Sequence, residues 1–219
     1  LEDSAHSALG IEIGRFAVVY LLRRTARRLG NIPQNIVNPI LQADQALLEW
    51  VDSQGWRTSR ITSPQGLDEI AESFIAALSD LEQWIKRAEL DRFQLLEETA
   101  ELARAEAEAH REALLVQTTG LKQRWMHFAR VGDCLDSHVT WLEADPARQY
   151  FQLVSSPLYV GDILAEKLWP NTPSILTSAT LAVSRSFDYI IYRLGLPSDS
   201  LIRGMFDSPF NFEEQVVLY

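Results

Sequence analysis

In the run Ser174-Ile175-Leu176-Thr177-Ser178-Ala179-Thr180-Leu181 an apolar stretch gives way to small residues, most of them hydroxyl-bearing. If the apolar part is a strand, Ser178 and Thr180 stand at its carboxyl end, where hydroxyls can hydrogen-bond a carboxylate, an imidazole or a phosphate without adding charge. Taken alone, such an end serves equally well to cap the next helix. A second kind of chemistry is cationic. Arg15, Arg23, Arg24, Arg27 and Arg28 flank the apolar run FAVVYLL, and no acid follows Glu12 in that stretch, so a helix there can bury one face and present a positive other. In LKQRWMHFAR, Lys122, Arg124 and Arg130 are interleaved with Trp125, His127 and Phe128. Cations between rings suit single-stranded nucleic acid, because phosphates need charge and every base offers a face for stacking. Each pattern also has a bland form: the arginines can solvate a helix or pair with acids, and Trp125 and Phe128 at helical spacing are more often core.

Other chemistries are poorly served. No GxxxxGK[ST] occurs, since Lys86, Lys122 and Lys167 are the only lysines and none follows a glycine, so a phosphate-cradling loop is missing. Asp3-Ser4-Ala5-His6 lacks the preceding apolar strand that a Walker B acid needs. His6, His110, His127 and His138 have no i, i+4 pairing for a metal, and Cys134, the single cysteine, supplies neither a disulfide nor a zinc or iron–sulfur ligand set. A net charge of −10 over 219 residues excludes a wholly basic nucleic-acid-coating protein, though not a local basic patch. No uninterrupted apolar stretch is long enough for a membrane span, and LEDSAHSALG has no signal-peptide character, so the expected setting is cytoplasmic, without a membrane partner. A chain that begins on Leu1 reads as a piece of something longer.

The elements that must position these residues are mainly helical. Residues 67–119 hold neither Gly nor Pro and carry most of the negative charge. Leu67, Phe74, Leu81, Ala88, Leu95, Leu102, Ala109 and Val116 recur every seven residues, with Ala71, Leu78 and Ile85 completing an a/d seam over the first half. Long heptad helices follow, with a break near Ser79 (a capping-box pattern with Glu82) or Asp91 able to fold them into a hairpin. Upstream, helices are expected from about Ser7 to Leu29, stopped by Gly30, and from Pro39 to Ser53, with Asn38 as N-cap and Gly55 as terminator. Downstream, LKQRWMHFARV reads as one more helix, and HVTWLEA and YFQLVSS as a short β-hairpin around Asp145-Pro146. GDILAEKLW is a short helix, SILTSATL a strand and SRSFDYIIYRLGL a helix closed by Gly195. Strand, small-residue loop, helix is the unit of a parallel α/β sheet, with QVVLY a second β-rich run.

The blocks PLYVGDILAEKLW, SILTSATL, FDYIIYRLGL and SPFNFEEQVVLY, in this order and spacing, resemble the corresponding run in bacterial DinG helicases, relatives of XPD in superfamily 2, and LEDSAHSALG resembles the sequence that follows their DEAH box. The resemblance covers both ends of the chain; the middle matches by position, where that family carries its Arch insertion. It implies an Arch-like helical domain over 1–156, a returning part of the first motor domain over 157–195, and the start of the connection to the second over 196–219. The fold class implied is mainly α, a long-helix Arch-type domain with a short β-hairpin followed by a partial α/β motor segment. The family translocates 5′ to 3′ on single-stranded DNA with ATP and magnesium. The SAT segment is its motif III, so Ser178 and Thr180 would hydrogen-bond the DEAH residues and relay nucleotide state to the DNA grip, with Thr177 and Ala179 shaping the turn. The expected DNA contacts are Arg23, Arg24, Arg27 and Arg28, then Lys122, Arg124, Trp125 and Arg130. The expected partners are single-stranded DNA and the remaining motor domains. No cofactor is expected on this chain itself, which is expected neither to hydrolyse ATP nor to unwind DNA. Cys134 lies downstream of the family's cluster cysteines and so is silent on an iron–sulfur centre. The competing reading is an all-helical module in which the heptads self-associate as a coiled coil and TSATL is incidental; it predicts no α/β tail.

Overall fold

In the computed structural model, residues 9–88 and 97–206 are described, and they divide into two units, Leu9–Leu158 and the segment from Tyr159 onward. In the first unit, alternating apolar and polar residues in β3 (His138–Asp145) and β4 (Tyr150–Pro157) build the expected hairpin. Its turn is set by Asp145, whose Oδ1 accepts from the N–H groups of Ala147 at 3.0 Å and Arg148 at 3.2 Å. Two earlier segments complete an antiparallel sheet of order β1-β4-β3-β2, with β1 being Ile11–Gly14 and β2 being Ser59–Arg60. The register places Ile13 opposite Leu153 and Leu142 opposite Leu153, so one face gathers Ile13, Leu142, Phe151 and Leu153 into the core.

β1 corrects the expected helical start at Ser7. Ile11-Glu12-Ile13 alternates, Ile13 fills the core, and the ladder to β4 continues when Arg15 N–H donates to the Phe151 carbonyl at 3.0 Å. Helix α1 therefore begins only at Ala17 and runs to Leu29, ending at Gly30 with φ 87°, the stop read from the sequence. Helix α2 spans Gln34–Ser53, so Pro39 lies inside it rather than at its start. The Pro33 carbonyl accepts from the N–H groups of Ile36 and Val37, and Ile36, Ile40, Ala43 and Leu47 are buried in helical period, which compensates for the backbone bond Pro39 cannot make.

The heptad region divides into α3 (Leu67–Arg87) and α4 (Glu97–Phe128), which pack on each other. The α3 seam is as read: Leu67, Ala71, Phe74, Leu78, Leu81 and Ile85 are fully buried. Helix α3 passes straight through Ser79, whose hydroxyl bonds back to the Ile75 carbonyl at 2.7 Å instead of capping anything. It stops at Ala88, in extended conformation, and residues 89–96, including Leu95, lie outside the described residues. Two expectations fail on α4. It runs through Gly120 without interruption, so LKQRWMHFARV is its end and not a separate helix. Its buried face is Leu114, Thr118, Leu121, Trp125 and Phe128, while Leu102 and Val116 are exposed. The break resets the rotational phase of the helix, so a seven-residue count carried across it names the wrong stripe. A short α5 (Val131–Cys134) leads into β3.

The second unit contains α6 (Gly161–Lys167) and α7 (Asp188–Leu194), the latter closed by Gly195 at φ 59°. Among its described residues no strand is formed; SILTSATL is unpaired and, apart from half-buried Leu176 and Leu181, exposed, and the only bridge joins Val183 to Ser186. A strand needs neighbours to take its backbone donors and acceptors, and among the described residues none lies alongside. The parallel sheet expected here is thus absent from the described residues, and QVVLY falls outside them. The chain is mainly α with a small antiparallel sheet, and no described helix is long and apolar enough to cross a membrane.

Candidate functional site

Helix α1 turns Val18, Leu21, Leu22 and Thr25 inward, and the 3.6-residue repeat leaves Arg23, Arg24, Arg27 and Arg28 exposed. None of the four forms an ion pair with a described residue, so the alternative in which they neutralise the acidic helix is not realised among them. Arg27 and Arg28 occupy the last turn, where the helix dipole favours cations.

The second cationic candidate is dispersed. Trp125, expected to stack on a base, is 0% exposed and lies against Phe74 with ring centroids 4.2 Å apart and planes 12° apart, so it is core. Lys122 forms an ion pair with Glu82 on α3, which Lys86 also binds at 2.7 Å; these two hydrogen bonds hold the Glu82 carboxyl below its usual range. Lys122 therefore joins α3 to α4 instead of standing free for a phosphate. Arg124 is exposed and reaches the Glu12 carbonyl at 3.5 Å, and Arg130 is exposed. A ring and a lysine three residues apart cannot both face solvent when the helix buries Leu121, Trp125 and Phe128.

At the hydroxyl turn, Ser178 Oγ accepts from the Thr180 N–H at 3.2 Å and lies 3.1 Å from Thr180 Oγ1. This is a local Ser turn, with both side chains exposed. The same unit has an apolar cleft of about 560 Å³ lined by Trp169, Ile175, Leu181, Phe187, Ile191 and Leu201. Ile175 is 95% exposed and Phe206 93%. Among the described residues there is no group of three or more His, Cys, Asp or Glu side chains able to hold a metal ion, and the turn itself offers neutral hydroxyls.

Two features escaped the sequence. One is a set of rings beside α1: Phe16 and Tyr20 contact edge to face at 6.3 Å, and the Arg15 guanidinium lies over Phe16 and Trp56. The other is a polar relay between the end of α4 and the sheet. His127 Nε2 pairs with Ser155 Oγ at 2.7 Å, Ser155 with Thr140 Oγ1 at 2.9 Å, and the His127 and His138 rings are 5.0 Å apart. Ser155 and Thr140 were legible only as strand residues; β pairing is what brings them to α4.

Burial, and for His127 also its neighbour His138, pushes both imidazoles below the ordinary value of 6.5. A histidine that binds its proton less readily in the folded state stabilises the fold fully above about pH 6.5. That stability is lost as the pH falls from there through the lowered folded-state values, because the unfolded chain takes up protons first. Thermal melts between about pH 5 and 8 should show the midpoint falling on the acid side, and His127→Gln should flatten that slope. An unchanged slope in the variant would assign the acid sensitivity elsewhere.

No family model matches the chain. Over 85 residues it is 39% identical to the 3'-5' exonuclease DinG of Bacillus subtilis (strain 168), covering 37% of this chain and 9% of that protein. Over 86 residues it is 35% identical to the ATP-dependent helicase DinG of Mycobacterium tuberculosis (strain ATCC 25618 / H37Rv), covering 38% and 13%. Over 79 residues it is 37% identical to the probable ATP-dependent helicase YpvA of Bacillus subtilis (strain 168), covering 36% and 12%. The matched stretch thus spans about a tenth of the length of these relatives, and the resemblance to DinG-type helicases read from the sequence is borne out over it.

Proposed function

We propose that this chain, similar over some 85 residues to DinG-type helicases, is a segment of an ATP-dependent 5′ to 3′ DNA helicase. In this reading Leu9–Leu158 is its Arch-type module and grips single-stranded DNA through Arg23, Arg24, Arg27 and Arg28. Ser178 and Thr180 belong to motif III, which couples nucleotide hydrolysis to that grip. ATP and magnesium are held by other parts of the parent; the residues here contribute positioning and DNA contact.

The observation that carries the reading is the exposed hydroxyl turn at the end of a run that is unpaired among the described residues, at the place where the sequence resembles motif III. Among the described residues Ser178 and Thr180 hydrogen-bond each other and are exposed, and Ile175, three residues earlier, is 95% exposed. That is what a strand needs when the remaining strands of its sheet come from another part of the protein. The exposed arginines of α1 add a grip on an otherwise acidic chain.

The test is the double reversal Arg24→Glu with Arg28→Glu, read by fluorescence anisotropy on a labelled single strand across a salt series. Affinity at low salt is expected to drop at least about tenfold, and the slope of log affinity against log salt to flatten by about 1.4, two phosphate contacts at roughly 0.7 each. Unchanged affinity and slope would remove α1 from the grip. A second reading, self-association, has one observation behind it: Leu102, Ala109 and Val116 stand exposed at seven-residue spacing on α4. Sedimentation at rising concentration separates a monomer from such a dimer.

A further inference from the structure

We propose that Tyr20, backed by Phe16, is a stacking platform for a base of single-stranded nucleic acid whose phosphates lie along Arg23, Arg24 and Arg27. This rests on the reading that α1 grips DNA and adds to it the part of the ligand other than phosphate.

Tyr20 is 65% exposed and Phe16 is 43% exposed, on a helix whose opposite side is buried in the core. At about 100° per residue, Phe16, Tyr20, Arg23 and Arg27 fall within a narrow arc of one face, with Arg24 at its margin. Tyr20 is fixed to Phe16 twice: its N–H donates to the Phe16 carbonyl at 2.9 Å, and the rings meet edge to face with planes 73° apart. Phe16 in turn carries the Arg15 guanidinium 5.2 Å from its centroid, and Arg15 also donates to the Gln149 carbonyl and lies 5.7 Å from the Trp56 ring. The platform is therefore anchored to the sheet on one side, while Tyr20 itself remains uncovered among the described residues.

Charge selects the occupant. Helix α1 contains no acid, and the side chains continuing the Tyr20 stripe toward Gly30 are guanidiniums, so the face matches a polyanion that also offers flat apolar rings. An acidic protein segment would satisfy the arginines but would leave Tyr20 without a purpose. A base stacked on tyrosine supplies it, and does so independently of sequence, since every base has a π-face.

The experiment compares the full chain's affinity for an oligo-dT strand and for a strand of equal length and charge in which the bases are replaced by abasic sites. The wild type should prefer oligo-dT by roughly tenfold, within the range stacking on one aromatic residue contributes. Tyr20→Leu should bring that preference close to unity while leaving the salt dependence as it was, and Tyr20→Trp should restore it. A wild type that binds both strands equally, yet still loses affinity on Arg24→Glu with Arg28→Glu, overturns the stacking platform and leaves the arginine grip standing. If neither ring nor arginine changes alter binding, both fall together.

Discussion

Trp125→Ala is expected to lower the stability of the Leu9–Leu158 unit by about 3–5 kcal/mol, the cost of emptying a large aromatic site in a packed core. The ring has no exposure, stacks on Phe74 of α3 and meets Phe128 edge to face at 6.2 Å, so it joins the two long helices. Truncation would leave a void that neither helix can close without shifting its whole seam. The indole Nε1 is buried without a hydrogen-bond partner among the described residues, which costs stability in the wild type. Trp125→Phe, which removes that N–H and keeps a ring, should therefore cost clearly less than alanine. Urea unfolding of the three proteins measures both differences. If Trp125→Ala kept its denaturation midpoint but bound single-stranded DNA poorly, the ring would belong at a nucleic-acid surface after all.

Gly195→Ala should be nearly as damaging, about 3 kcal/mol or more, and its effect should be confined to the unit from Tyr159 onward. Gly195 ends α7 in the left-handed region, which a side chain adopts at a cost of about 1–2 kcal/mol. A Cβ there would also press into the Gly161 peptide, with its carbonyl carbon at 2.6 Å and Cα at 3.0 Å. These are backbone atoms at the start of α6 and cannot swing aside, so overpacking adds a further cost of about 1–3 kcal/mol. Gly55→Ala is the internal comparison: it has φ 70° but nothing within 4 Å of the added atom, so only the conformational cost remains. Hydrogen exchange should show faster exchange over 159–206 in the Gly195 variant and unchanged protection in α3. Equal costs at the two glycines would mean that the α6–α7 approach is looser than the Gly161 contact implies.

Much of this molecule is written locally. The absence of Gly and Pro over 67–119, the period of Leu67, Ala71, Phe74 and Leu78, the stops at Gly30, Gly55 and Gly195, and the Asp145-Pro146 turn each act within a few residues. Helical bonds, caps and tight turns close over three or four positions, and so does the patterning that announces them. The resemblance to DinG-type helicases is likewise a property of linear order. The arginine face of α1 was legible for the same reason, being a matter of spacing on one helix.

The tertiary structure alone decided which stripe of a helix meets which neighbour. Leu102 and Val116 continue the heptad in the sequence yet are exposed, whereas Leu114, Leu121 and Trp125 are buried, because α3 ends at Arg87 and the phase of α4 is set by its own packing on α3. Lys122 then meets Glu82, and Trp125 meets Phe74, contacts that no local pattern announces. Ile11–Gly14 becomes a strand only because β4 offers it a ladder from the far end of the unit, and the same pairing carries Ser155 to His127. SILTSATL has strand composition, yet among the described residues no strand lies beside it, so there it is unpaired. Pairing and packing are bargains between distant segments, and no local pattern carries the identity of the partner.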